Sequence, residues 1–229
     1  MVAGRPELAA ARSGSERSEG AAGSDGELGE GAGGDGGAPL IGVLAIQGGF
    51  EAHERMLLGL GARVRQVRVP ADLEGIDGLV LPGGESTAIM LGLQREGLIQ
   101  PLKRLVWGGL PVLGSCAGLI LLDEDHLGLM DMRAARNAFG RQIHSFEADL
   151  EIAGIDGPPM RAVFIRAPWI ERLGRDLEAL AILDGHPVAA RQGDLIAISF
   201  HSELTGDDRI HRMLLEAAAR RACGEMSTL

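Results

Sequence analysis

From residue 40 onward, short apolar runs alternate with segments of helical spacing. Leu40–Ile46 is a continuous apolar run suited to a strand covered on both faces, and Glu51–Leu60 carries Met56, Leu57 and Leu60 on one side of a helix. Arg63–Val69 alternates, with Val64, Val67 and Val69 apolar, as a second strand. Leu79–Leu81 is a third, ended by Pro82-Gly83-Gly84. Helical spacing returns at 87–96 and 99–107, and Pro111-Val112-Leu113 is a fourth strand. Strand and helix in turn at this interval predict a parallel sheet with helices on both faces. The second half differs: apolar runs at 148–152, 161–165, 179–183, 188–191 and 195–200 lie close together, and a last helix covers 208–221. The predicted fold is α/β and three-layered. Its central sheet is mostly parallel and flanked by helices, with an antiparallel or mixed portion in the C-terminal half.

Residues 1–38 stand outside this pattern. They hold 11 of the 35 glycines and too few apolar residues to offset the entropy of ordering, which predicts a disordered tail. The folded unit is expected over 39–222, with a flexible terminus at 223–229. The 229 residues carry a net charge of −10, which argues against a nucleic-acid or acidic-membrane partner. Two cysteines, Cys116 and Cys223, make no disulfide framework, and no Cys/His spacing suggests zinc. Neither a leader-like stretch nor an apolar run of about 18 residues is present. A reducing cytoplasm is the expected setting, with no metal or cofactor.

Gly114-Ser115-Cys116-Ala117-Gly118 joins the fourth strand to the apolar run Leu119–Leu122. This is a strand, a tight turn with cysteine at its tip, and a helix whose amide dipoles face the sulfur. Small neighbours two residues away on either side permit the strained turn. Read alone, it fits a catalytic thiol and a buried structural cysteine equally well. Of six histidines, His53, His126, His144, His186 and His211 read as surface or capping residues. His201 follows the strand Leu195–Phe200 and stands two residues before Glu203. In extended chain the two side chains face the same way, so Glu203 can orient one imidazole nitrogen, Nδ1, and leave the other for Cys116. The backbone N–H of Ala117 and one from the Gly83-Gly84 turn are the expected oxyanion donors. Ser86 suits the N-cap of the helix that begins at Thr87. In an open α/β sheet, Gln47, Gly83–Ser86 and Cys116 all follow strands and gather at one edge.

Between Leu40 and Arg220 the chain resembles the class I, triad-type glutamine amidotransferases, and within them the glutaminase subunits of pyridoxal 5′-phosphate synthase. The resemblance rests on Gly42–Gly48, Leu81-Pro-Gly-Gly-Glu-Ser-Thr87, Gly114–Gly118, Arg136-Asn-Ala-Phe-Gly-Arg-Gln142, Phe164-Ile-Arg-Ala-Pro168 and Ser199–Thr205. It implies Cys116 as nucleophile, His201 as acid and base, and Glu203 as its orienter. Gly84, Glu85 and Ser86 are implied to line the L-glutamine site, with Arg136, Ile165 and Arg166 at the amino-acid end of the substrate. The resemblance places Gln47 near the oxyanion site and the contact with the synthase subunit, the implied hetero-oligomeric partner. Three features depart from the family: Ser202 replaces the usual proline, the Cys116–Arg136 segment is short, and the tail has no counterpart. A glutaminase serving another synthase, active alone, and a non-catalytic scaffold are the competing readings; an intact Cys116, His201 and Glu203 set speaks against the second.

Overall fold

In the computed structural model, which describes residues 37–136, 138 and 145–224, one seven-stranded sheet organises the chain. Its strands are β1 (Leu40–Leu44), β2 (Arg63–Val67), β3 (Gly78–Leu81), β4 (Val112–Ser115), β9 (Glu178–Leu183), β10 (His186–Gln192) and β11 (Leu195–Ile198). The order is β2-β1-β3-β4-β11-β10-β9. The first five run parallel, and β10 and β9 complete the sheet antiparallel. Two antiparallel ribbons stand beside it: β5 (Met132–Ala135) with β8 (Trp169–Leu173), and β6 (Ser145–Leu150) with β7 (Met160–Ile165).

Period-two alternation divides the core between the faces. Leu40 and Leu44 of β1, with Leu79 and Leu81 of β3, pack in the cluster that also takes Ile89, Leu93, Leu102 and Val106. Those four come from α2 (Ser86–Arg95) and α3 (Ile99–Trp107). Ile41, Val43 and Val80 face the other cluster, with Leu57, Leu214, Ala218, Phe164 and Phe200. That face is covered by α1 (Phe50–Gly59), α5 (Arg209–Ala222) and the β6–β7 ribbon. The layers and the mixed C-terminal sheet agree with the expectation. The remaining helix, α4 (Ala117–Leu122), has all six residues buried, as an all-apolar helix must.

Several boundaries differ from expectation. β2 stops at Val67 because the Asp72 carboxylate accepts from the amides of Arg68 and Val69 and starts a 3-10 turn at Pro70. The run predicted at 148–152 forms a strand over 145–150, where Phe146, Ala148 and Leu150 alternate inward. β5 and β8 were not predicted; each is short and mixed in polarity, and exists by pairing with the other. The expected tail and C-terminal segment, except Gly37, Ala38, Cys223 and Gly224, lie outside the described residues, as do His144 and Asn137, Phe139, Gly140, Arg141 and Gln142 of the arginine motif. No helix among the described residues is long and apolar enough to cross a membrane.

The cysteine turn depends on one close approach. Any Cβ at Gly118 would run into the Leu81 carbonyl of β3, and one at Gly114 would meet the Gly118 carbonyl at 2.7 Å. Gly118→Ala therefore pushes α4 off the sheet. A loss of about 3 kcal/mol is expected, from overpacking against rigid backbone. Urea denaturation measures it, and an unchanged midpoint contradicts the packing described.

Candidate active site

Cys116 sits between β4 and α4 with φ 51 and ψ −101, a left-handed conformation rarely tolerated by a residue with a Cβ. The turn is tied down on every side. The Cys116 amide donates to the Ile198 carbonyl (2.8 Å), its carbonyl accepts from Leu119 (3.2 Å), and the Ser115 hydroxyl donates to the Phe200 carbonyl (3.1 Å). Ile198 and Phe200 belong to β11 and the residues after it. The same segment that supports the cysteine thus delivers His201.

His201 Nδ1 lies 2.6 Å from Glu203 Oε1. The pairing is the expected one, but its geometry is not. The chain leaves extended conformation at His201, and Ser202–Leu204 is a 3-10 turn that curls Glu203 back under the ring. A bond from His201 N–H to the Val163 carbonyl (2.8 Å) fixes the backbone at this bend. The other side of the ring faces Cys116. Burial alone disfavours a charged imidazole; hydrogen bonds with Cys116 and Glu203, and the charge on both, outweigh it and push the His201 pKa up to about 10. For Glu203, burial opposes the carboxylate, but the hydrogen bond from His201 and the neighbouring imidazoles hold its pKa below the ordinary value.

Opposite the imidazole lies the turn after β3. A side chain at Gly83 would collide with the His201 ring, and a Cβ there would stand 3.4 Å from the Cys116 Cβ. The Gly49 amide holds the Gly83 carbonyl (3.0 Å), and Gln47 Oε1 accepts from the Glu85 amide (2.9 Å). The N–H of Ala117 is the first of α4 and has no acceptor within that helix. These groups enclose a cleft of about 480 Å³. Gln47, Gly84, Glu85, Ser86, Cys116, Ala117, Arg136, Ile165, Arg166 and His201 all line it. Glu203 alone of the predicted site residues stands behind the wall. A larger hollow of about 710 Å³, bordered by β6, β7 and β9, shares no residue with this cleft and contains neither histidine nor cysteine.

Three assignments change. Glu85, not Ser86, caps α2: its carboxylate accepts from Thr87 N–H (3.0 Å) and Ala88 N–H (2.6 Å), and these bonds lower its pKa. Ser86 is the first helical residue. His53 and His211, read as surface residues, are fully buried. His53 Nε2 lies 3.5 Å from Glu203 Oε1, and His53 Nδ1 lies 2.9 Å from His211 Nε2. The signal was there in helical spacing: His53 precedes the buried Leu57 by four residues, and His211 precedes the buried Leu214 and Ala218 by three and seven. Gly49, too, was missed as the donor that fixes the Gly83 carbonyl.

A doubly wound sheet that brings a cysteine, an imidazole and a carboxylate into contact at its carboxyl edge has the architecture of the class I glutamine amidotransferases. A crystal structure of a glutamine amidotransferase shares it at a TM-score of 0.74 and 44% identity, over 78% of this chain and 98% of that one. The structure of PurLQS from Thermotoga maritima, 15% identical with a TM-score of 0.62, shows the same fold over 80% of this chain and 99% of the matched one. Residues 43–220 match the SNO glutamine amidotransferase family, and the chain belongs to that family. Among its relatives are pyridoxal 5′-phosphate synthase subunits PdxT. That of Parafrankia sp. is 53% identical over 188 residues (78% of this chain, 93% of the relative), and that of Frankia alni 50% over 195 (81% and 98%).

The buried imidazoles give the fold a pH dependence. Burial, and then the nearby His53, lower the His211 pKa from 6.5 to about 3. The unfolded chain takes up this proton near 6.5 and the folded protein only near about 3. The stability is therefore intact above 6.5 and is lost progressively as pH falls toward about 3. Urea midpoints should drop between pH 7 and 4, and drop less steeply in His211→Gln. Equal slopes in the two proteins contradict a neutral buried His211.

Proposed function

We propose that this chain hydrolyses L-glutamine to L-glutamate and ammonia through a thioester on Cys116, and delivers the ammonia to a pyridoxal 5′-phosphate synthase subunit for vitamin B6 biosynthesis. The observation that carries the reading is that Cys116 and His201 line one cleft, both beside Gly83, with Glu203 2.6 Å behind the imidazole. The family membership and the name shared by its relatives support glutamine as substrate and the synthase as partner.

The chemistry follows from the groups in place. Cys116 gives its proton to His201 and its sulfur attacks the side-chain amide carbon of glutamine. The oxygen that becomes negative is met by the N–H of Ala117 and that of Gly84, both on the cleft wall. His201 protonates the departing nitrogen, which leaves as ammonia, and a γ-glutamyl thioester remains. Water, deprotonated by His201, then attacks the thioester, glutamate leaves, and the sulfur regains its proton. Throughout, Glu203 fixes the ring through Nδ1 and balances its positive charge. Arg136 and Arg166, exposed at the cleft mouth, suit the α-carboxylate of glutamine.

Ammonia set free in neutral water becomes ammonium and loses its nucleophilicity, so the product is best passed directly to the consuming subunit. Gln47 is exposed and accepts from the Glu85 amide beside the Gly83-Gly84 turn, which supports it as a point of coupling to the synthase subunit. Residues 39–222 constitute the glutaminase domain, and the bacterial cytoplasm is its compartment.

Glutamate release, measured with and without the synthase subunit, should rise on adding the partner. Cys116→Ala should lower it about a thousandfold or more. Turnover that survives this substitution overturns the assignment. Arg166→Ala and Arg136→Ala should raise KM for glutamine about tenfold each with a smaller change in kcat, the expected loss of one charge-assisted contact to bound substrate; an unchanged KM removes that arginine from the substrate site.

A further inference from the structure

Behind the three reacting groups, the polar chain continues inward. Glu203 Oε1 is the acceptor for His201 on one side and faces His53 Nε2 at 3.5 Å on the other. His53 in turn meets His211 Nε2 at 2.9 Å, the two rings tilted 39° with centroids 5.1 Å apart. Both histidines are fully buried, one from α1 and one from α5. Nothing in the chemistry above uses them, and two imidazoles in a core cost desolvation unless they serve the groups they touch.

The proton positions follow from what each nitrogen faces. His53 Nε2 makes no hydrogen bond among the described residues, but it stands 3.5 Å from a carboxylate oxygen, where a lone pair would be repelled and an N–H attracted, so Nε2 carries the hydrogen. In a neutral ring Nδ1 is then the acceptor, and the donor to it must be His211 Nε2–H. The reverse arrangement sets a lone pair against the carboxylate and strands an N–H at His211 Nδ1, which has no partner among the described residues. The charged groups facing the pair are Glu203, His201 and, near His211, Asp208. Burial lowers the pKa of both rings and keeps them neutral.

Glu203 needs such support. It sits on a three-residue 3-10 turn rather than in a strand, and its second oxygen, Oε2, is buried with no partner among the described residues. With Oε2 unbonded, the side-chain contacts that fix the rotation of the carboxylate, among the described residues, are those at Oε1.

We propose that His53 and His211 are positioning residues for the glutaminase reaction: a neutral pair, both protonated on Nε2, that clamps Glu203 from behind and keeps Oε1 aimed at His201. The pair links α1, which starts just past the Gln47–Gly49 loop, to the carboxylate end of the site. The kinetic part of this proposal rests on the glutaminase reading; the tautomers do not.

Nitrogen-15 NMR of the full-length chain tests the arrangement without turnover. Both rings should show a protonated Nε2 and a bare Nδ1 at pH 7, and the His201 Nδ1 proton should resonate far downfield because of its short bond to Glu203. In His53→Leu that proton should move upfield or vanish through exchange. With the synthase subunit present, kcat should fall about tenfold at unchanged KM, as expected when a group that orients the acid and base is lost without loss of substrate contact. His53→Gln, which keeps an N–H near the carboxylate, should recover most of both signals. A protonated Nδ1 on either ring overturns the proposal. So does a folded His53→Leu with the wild-type His201 resonance and kcat, or a His53→Gln as impaired as His53→Leu. Should His53→Leu not fold, His211→Leu decides: it withdraws the donor to His53 and must weaken the His201 signal. A wild-type complex with these resonances but no glutamate release would instead refute the glutaminase reading.

Discussion

The site depends on holding Cys116 in a backbone conformation that a side-chain-bearing residue avoids. At φ 51 and ψ −101 the turn costs about 1–3 kcal/mol relative to relaxed chain. Its anchors are the Ile198 carbonyl, the Phe200 carbonyl and the close seat of Gly118 on β3. All three come from the parallel pairing of β4 with β3 and β11. Crossover connections make that pairing possible, and the buried faces of β1, β3 and β4 make it stable. The strained turn and the sheet are therefore one structure, and the nucleophile is raised into the cleft because the strands beneath it cannot shift.

The same pairing fixes the electrostatics. Since β11 lies next to β4 with Ile198 opposite Ser115, the chain that runs on past β11 through Phe200 passes beside the cysteine turn. The next residue is His201, and its imidazole ends up between a sulfur and a carboxylate with little water around it. A ring alone in such a place would be neutral. Here two partners reverse the effect of burial, so His201, half-buried at the cleft, and His211, fully buried, move in opposite directions from one starting value. One is set up to carry a proton and the other to refuse one. Glu203 is the group that separates the two environments.

Much of this could be read from the chain, because its strongest signals are local. The fully apolar runs of β1, β3 and β4 are dictated by burial on both faces, and Gly114 and Gly118 bracket Cys116 for a steric reason visible in the spacing. The edge at which Gln47, Gly84 and Cys116 meet followed from the parallel order. What escaped depends on distant partners. β5 and β8 have no pattern of their own and exist through each other. The bond from Glu203 to His201 was foreseen with the wrong backbone, since a 3-10 turn and an extended pair both bring residues two apart together. His53 and His211 were misjudged because a polar residue on a helix reads as exposed until its burial partner, 158 positions away, is known. For Glu85 the missed fact was the direction of its carboxylate, which caps its own helix.

Site-resolved labelling by an electrophilic glutamine analogue, read by peptide mass spectrometry, interrogates the central claim most directly. The chain supplies its own control, because Cys223 is exposed while Cys116 is buried at the cleft floor. If the strained turn and His201 activate Cys116, the adduct forms there in preference to Cys223, and excess L-glutamine blocks it. An adduct confined to Cys223, with Cys116 untouched in the presence of the synthase subunit, would contradict the account.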